Sequence, residues 1–276
     1  MQYKIVNISG ADLAVYEGTG QSAPTLFLVH ANSQDASSFD QQIDGPLGDR
    51  FRVVAIDLPG HGNSFRSKHP DQEYSLAGFA RIISEVANRL HQGPTVYIGH
   101  SLGGHLLIQA AERLPGLRGL LALGTPPLQA PPRFDLAFLP HAASAFILQE
   151  HLSEIETDLW AKAQTCQPLF HERIMRIREA IRHTDPRCRS SLGQSIGTLP
   201  DECAILQRLA VPVALVVGER DPFINLDYCH NLPLPRLWRN GLHIVPGCGH
   251  SPQWEQPEEF NNLLTAFANA CWSQET

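Results

Sequence analysis

A serine with glycine two residues away on either side, Gly99-His100-Ser101-Leu102-Gly103, follows the apolar run Thr95-Val96-Tyr97-Ile98 and precedes a helical pattern. A turn this tight tolerates no side chain at the flanking positions and lifts the serine hydroxyl above the sheet edge, where it can act as a nucleophile. The amides that open the following helix favour negative charge on whatever the serine attacks. Such a serine needs a histidine to take its proton and a carboxylate to orient that histidine, in the chain order serine, acid, histidine. Asp221, in Gly218-Glu219-Arg220-Asp221-Pro222, and His250, in Pro246-Gly247-Cys248-Gly249-His250, stand in that order, each just past an apolar run.

Local setting separates these residues from their rivals. An isolated Asp-Pro is more often a turn residue bonding its own backbone, but the serine turn and His250 reverse that reading for Asp221. Glu219 ranks second as the acid and Asp135 third, because the Asp-Pro step ends the loop and turns the Asp221 carboxylate inward. Of the 13 histidines, His243 lies within a strand pattern, His105 sits one helical turn beyond Ser101, and His100 and His61 lie in tight turns with structural roles. Only His250 has a Gly-Cys-Gly approach that lets an imidazole reach across to another strand. An oxyanion produced at the attacked carbonyl requires two amides. Leu102 N–H, directly after the serine, is one candidate, and Asn32 N–H, in the loop after Thr25–Val29, is the other.

The elements that must hold these residues follow from periodicity. Tyr3–Ser9 and Ala11–Tyr16 alternate around Ser9-Gly10 as an edge hairpin. Thr25–Val29, Phe51–Ile56, Thr95–Gly99, Gly119–Gly124 and Val213–Val217 read as buried strands, the first a continuous apolar run as in a strand buried on both faces, and Leu242–Val245 reads as the last strand. Helical patterns alternate with them: one capped by Ser75 and carrying Leu76, Phe79, Ile83, Val86 and Leu90, one over Ser101–Leu114, and one opening at Pro257. The alternation predicts an α/β fold with a mostly parallel central sheet flanked by helices. Between about Arg133 and Leu206 the buried-strand runs stop, and Ala142–Ala163 and His171–Arg182 read as amphipathic helices. The expected organisation is a core of residues 1–130 and 207–276 with an inserted helical cap of residues 131–206.

Composition sets limits on function. The chain has 276 residues, 43% of them hydrophobic, and a formal net charge of -7 without a run of Lys or Arg. It can bury a full core, and it has no basic footprint for nucleic acid or an anionic membrane. Six scattered cysteines include no C-x-x-C pair and no zinc spacing, so they are expected to be reduced and buried. No 18-residue apolar span and no basic-then-apolar start occur, so neither membrane insertion nor export is expected, and the cytoplasm is the default location.

These motifs together resemble the α/β-hydrolase family: His30-Ala31-Asn32, Asp57-Leu58-Pro59-Gly60-His61-Gly62, Gly99-His100-Ser101-Leu102-Gly103-Gly104, the acid at Asp221 and Gly249-His250. Ala31 departs from the usual glycine of the oxyanion loop. A closer similarity, carried by His30-Ala31-Asn32-Ser33, Pro115-Gly116-Leu117-Arg118-Gly119, Gly124-Thr125-Pro126-Pro127 and Arg220-Asp221-Pro222-Phe223, is to the metal-independent N-acyl-homoserine-lactone lactonases. The resemblance implies attack by Ser101 on an ester or lactone carbonyl, His250 as base, Asp221 as its orienting acid, and the Asn32 and Leu102 amides as oxyanion hole. It implies a small-molecule substrate and no metal or cofactor, in keeping with the absence of an H-E-x-x-H motif. Rival activities on this fold are a general carboxylesterase, a carbon–carbon bond hydrolase and a cofactor-free peroxidase; a non-catalytic receptor would leave the three residues unexplained. Serine rather than aspartate at position 101 argues against dehalogenases and epoxide hydrolases. Among the cap aromatics, Phe138, Phe146 and Trp160, with Phe134, are candidates to line an acyl-chain pocket, although helical spacing equally suits a core.

Overall fold

Eight strands, β1 (Tyr3–Ile8), β2 (Ala11–Glu17), β3 (Thr25–Val29), β4 (Arg52–Ile56), β5 (Thr95–His100), β6 (Leu117–Leu123), β7 (Val213–Gly218) and β8 (Leu237–Val245), form one sheet in the order β1-β2-β4-β3-β5-β6-β7-β8. The computed structural model describes residues 2–20, 24–166, 171–234 and 236–273. β1 (Tyr3–Ile8) and β2 (Ala11–Glu17) are the antiparallel edge hairpin, and β2 pairs antiparallel with β4 (Arg52–Ile56). From β4 onward all pairs are parallel: β3 (Thr25–Val29), β5 (Thr95–His100), β6 (Leu117–Leu123), β7 (Val213–Gly218) and β8 (Leu237–Val245).

Every residue of β3, β4, β5 and β7 is buried, which is why these segments carry no polar alternation. One apolar cluster lies on each face. On one face Phe27, Val54 and Tyr97 pack with Phe79, Ile83 and Leu106 from the helices Leu76–Leu90 and Leu102–Ala110. On the other, Leu26, Leu28, Ile98 and Val216 pack with Phe260, Leu264 and Phe267 from the helix Pro257–Trp272. Each buried Leu, Ile, Val or Phe contributes about 1.5–3 kcal/mol, against about 0–1 kcal/mol for an exposed ion pair, so the sheet and its helices hold the frame. Ser75 caps its helix as expected, its side chain accepting from Gly78 N–H.

Because β3 to β8 run parallel, the residues following Val29, Ile56, His100, Leu123, Gly218 and Val245 all emerge at one edge of the sheet. Three local expectations change. The helix after Ser101 runs only to Ala110 and tightens into a 3₁₀ turn over Ala111–Arg113. Ala142–Ala163 is a 3₁₀ turn, Ala142–Ala145, and a separate helix, Glu154–Ala163, which starts where Ser153 and Glu156 form a capping box. β8 begins at Leu237, five residues before the expected Leu242, since the polar Arg239-Asn240 step, with φ of 52° and 58°, interrupts the apolar pattern without ending the pairing.

Between β6 and β7 lie the helices Glu154–Ala163, His171–His183, Pro186–Ser195 and Glu202–Arg208. The last of these packs on Leu102–Ala110, where the buried Glu202 carboxylate accepts from Leu128 N–H and lies 2.8 Å from His105 Nδ1. Among the described residues no helix is long and apolar enough to cross a membrane, and all six cysteines are free, Cys166 alone being partly exposed.

Candidate active site

Ser101 sits at φ 51° and ψ −114°, a conformation worth about 1–3 kcal/mol of strain that its neighbours impose. Its amide donates to Leu123 O (2.8 Å), and Thr125 Oγ1 donates to Ser101 O (2.9 Å). The flanking glycines are required by contact: a Cβ on Gly99 would fall 2.4 Å from the Gly103 backbone, and one on Gly103 2.3 Å from Val29 O. The serine is partly exposed, and no hydrogen bond ties its hydroxyl to the described residues.

His250 and Asp221 meet beside this turn. His250 Nδ1 lies 2.7 Å from Asp221 Oδ2, with both side chains almost wholly buried. The other carboxylate oxygen, Oδ1, accepts from Phe223 N–H (2.9 Å) and Ile224 N–H (3.3 Å), which locks the Asp221 rotamer. Glu219 is directed elsewhere, accepting from Gly247 N–H (2.9 Å) in the loop before His250, and Asp135 is an exposed partner of Arg133. Gly124, at φ +55°, backs the imidazole: a Cβ there would stand 3.0 Å from the His250 ring, and 3.6 Å from Asp221 Oδ2. Phe223 meets the ring edge-on at 5.0 Å. His100, adjacent to the serine, has Nε2 2.8 Å from His250 O and Nδ1 3.2 Å from Gln253 Nε2, so it donates to one and accepts from the other.

Two further histidines brace the Asn32 loop. Leu58 N–H donates to His30 Nε2 (2.9 Å), which leaves Nδ1–H to donate to Ala31 O (2.8 Å). Ser33 N–H donates to His61 Nε2 (3.3 Å), which leaves Nδ1–H to donate to Pro59 O (2.9 Å). Asn32 is thus held between two fixed neighbours. Neither its amide nor that of Leu102 has a hydrogen-bond partner among the described residues.

Burial keeps these imidazoles neutral, pulling His30 down to about 4 and His61 to about 3 from the ordinary 6.5, and His100 well below it. The unfolded chain binds protons below that ordinary value and the folded chain does not until far lower. Their stabilisation is therefore complete above pH 6.5 and lost as pH falls toward 4 and 3. Asp57, pushed up to about 7 by burial and the neighbouring Asp35, acts in the opposite sense, but it is one carboxyl against three imidazoles. Urea midpoints are expected to fall steadily between about pH 6.5 and about pH 4; a midpoint that holds or rises over that interval would show that the histidines are not buried as neutral groups.

Residues between β6 and β7 also pack on the strand ends. Phe146 and Trp160 are buried in a cluster with Ile177, Ile181, Phe223, Ile224 and Trp254, which joins the insertion to the strand ends. Phe138 is partly exposed, packs against Phe134 and His105, and bridges Ile224. Sequence reasoning placed Phe223 and Gly124 in motifs without giving them a role, and it missed Gln253. Phe223 directly follows the Asp-Pro step, and Gly124 ends a buried strand, so both had a positional signal; Gln253 had none.

Residues 26–263 match the model of the alpha/beta hydrolase family. Crystal structures of the N-acyl homoserine lactonase AidH, one a serine-to-glycine mutant complexed with N-hexanoyl homoserine lactone and another complexed with N-butanoyl homoserine, superpose with a TM-score of 0.91 at 32% identity. They cover 100% of this chain and 100% and 99% of theirs. A 2-hydroxy-6-oxononadienedioate/2-hydroxy-6-oxononatrienedioate hydrolase of Burkholderia vietnamiensis is 25% identical over 279 residues, 96% of this chain and 94% of its own. An uncharacterized protein of Mycobacterium tuberculosis is 26% identical over 266 residues, 89% of this chain and 75% of its own.

Proposed function

Since the chain belongs to the alpha/beta hydrolase family, we propose that it is a serine hydrolase of carboxylic esters and lactones whose preferred reaction is the ring opening of N-acyl homoserine lactones. The observation that carries this reading is the His250–Asp221 pair at 2.7 Å beside a serine held at positive φ. The likeness to AidH over the whole chain supports the lactone as substrate.

In this mechanism Ser101 Oγ attacks the lactone carbonyl carbon while its proton passes to His250 Nε2, the nitrogen left over once Nδ1–H faces Asp221. The carbonyl π pair moves onto oxygen, and that charge is held by the Leu102 and Asn32 amides, which have no other partner among the described residues. Collapse breaks the ring C–O bond, and His250 returns the proton to the departing alkoxide, which stays tethered to the acyl group. Water, deprotonated by His250, then attacks the acyl-serine; the acyl–Oγ bond breaks, His250 returns the proton to Ser101 Oγ, and the hydroxy acid is released. The acyl chain lies against the insertion, with Phe138 as the accessible part of that wall and Phe146 and Trp160 as its buried backing. We take residues 131–206 as the cap, noting that the helix Glu202–Arg208 straddles its end and packs on the core.

A second reading is carbon–carbon bond hydrolysis of a vinylogous diketo acid, favoured by the match to the Burkholderia relative over nearly the full length of both chains. Parallel assays decide between them: an N-acyl homoserine lactone, a p-nitrophenyl ester and a 2-hydroxy-6-oxo dienoate, each with and without EDTA. Lactone opening that is insensitive to EDTA and faster than dienoate cleavage is expected. Cleavage of the dienoate alone would replace the lactonase reading with the second one.

A further inference from the structure

Arg189, on the helix Pro186–Ser195, is a buried cation with no carboxylate partner within ion-pair distance among the described residues. Its guanidinium instead forks over neutral oxygens. Nε donates to Gln149 O (2.8 Å), Nη2 to Glu150 O (2.8 Å), and Nη1 to Ile181 O and Ser33 Oγ (each 3.3 Å). Ser33 Oγ donates in turn to Asn32 Oδ1 (3.2 Å), and Asn32 Nδ2 donates to Ile147 O (3.0 Å). These bonds close a ring: Arg189 grips the chain at 149–150 and at Ser33, while Asn32 grips it at 147. A desolvated charge without a direct ion pair is costly, the carboxylates of Asp185 and Glu150 acting on it only from a distance, and here its donors are spent on fixing backbone next to Asn32.

The geometry points to Arg189 as a positioning residue for the oxyanion loop, which makes the insertion part of the turnover machinery as well as of the substrate wall. This rests on the serine-hydrolase reading above. From the sheet side His30 and His61 already fix Ala31 O and Ser33 N–H; Arg189 fixes the side chains of Ser33 and Asn32 from the opposite side. With both sides set, the Asn32 peptide has one orientation. With only the sheet side set, the amide is free to swing by the fraction of an ångström that matters for an oxyanion contact.

The test compares Arg189→Met and Ser33→Ala with the wild-type chain, using N-hexanoyl homoserine lactone for kinetics and a hexyl trifluoromethyl ketone as probe. The serine oxygen adds to that ketone, its proton goes to His250, and the resulting oxyanion occupies the hole. Arg189→Met is expected to lower kcat about tenfold to hundredfold with KM within about threefold, and to weaken the ketone by the same factor. Ser33→Ala, which removes only the hydroxyl relay, should show the same pattern at about three- to tenfold, and the double variant should lose no more than Arg189→Met alone. Unchanged kcat in folded variants, a rise in KM alone, or a fall in kcat with full ketone affinity would each overturn the proposal. Should Arg189→Met fail to fold, Ser33→Ala carries the same three criteria. Absence of ester and lactone hydrolysis in the wild-type chain would instead refute the underlying reading, and the proposal with it.

Discussion

Ser101→Ala is expected to lower kcat for lactone and ester alike by about 10⁴–10⁶, leaving KM within about threefold. The size follows from the role proposed for the residue: without Oγ no acyl-enzyme would form, and His250 could only activate water in a site shaped for a tethered nucleophile. The variant should fold as the wild type does, because the Ser101 backbone is held by Leu123 O and Thr125 Oγ1, and neither contact involves its side chain. A fluorophosphonate should label the wild-type chain once, at Ser101, and leave Ser101→Ala untouched, as read by intact mass. Labelling or turnover that survives the substitution would mean that the nucleophile lies elsewhere.

Asp221→Asn is expected to cost about 10⁴ in kcat, and the reason lies in the local hydrogen bonds. Oδ1 must stay an acceptor, since the Phe223 and Ile224 amides both donate to it. An asparagine in this rotamer therefore turns its NH₂ toward His250 Nδ1. That forces Nδ1 to accept, moves the ring proton to Nε2, and leaves the imidazole unable to take the serine proton. Glu219→Gln keeps an acceptor for Gly247 N–H and should stay within about threefold of wild type. Steady-state rates across a pH series check both variants. If Glu219→Gln shows the large loss and Asp221→Asn does not, the acid has been misassigned.

Much of this site could be read from the chain because its parts are local. The six strand patterns end at loops whose residue types already declare tight turns, and parallel pairing brings those ends together without any further information. Asp221 was preferred to Glu219 on Asp-Pro geometry alone, and the two carboxylates do diverge, one to His250 and the other to Gly247. What could not be read depends on contacts between distant segments. Arg189 looks like an ordinary cation of a polar helix, and its partners lie at 33, 149, 150 and 181. The first half of β8 was hidden for a different reason: Arg239 and Asn240 adopt positive φ within a strand, where local preference forecasts a turn. Trp160 and Phe146 showed helical spacing that suits a pocket wall and a core equally. Phe146 and Trp160 are buried in a cluster with Ile177 and Trp254, whereas Phe138 stays partly exposed.

The connectivity of the sheet has a consequence for how such a chain changes over generations. Asn32, Ser101, Leu102, Asp221 and His250 all lie outside the segment between β6 and β7, so that segment can be exchanged or remodelled by recombination while the reacting groups are inherited intact. Such an exchange is not neutral wherever the incoming segment must reproduce the grip of Ile147, Gln149, Glu150 and Arg189 on the Asn32 loop. Under the proposed function, the helices Glu154–Ala163 and His171–His183 are expected to vary more freely than the stretch 147–150, whose backbone is tied to a loop more than a hundred residues away.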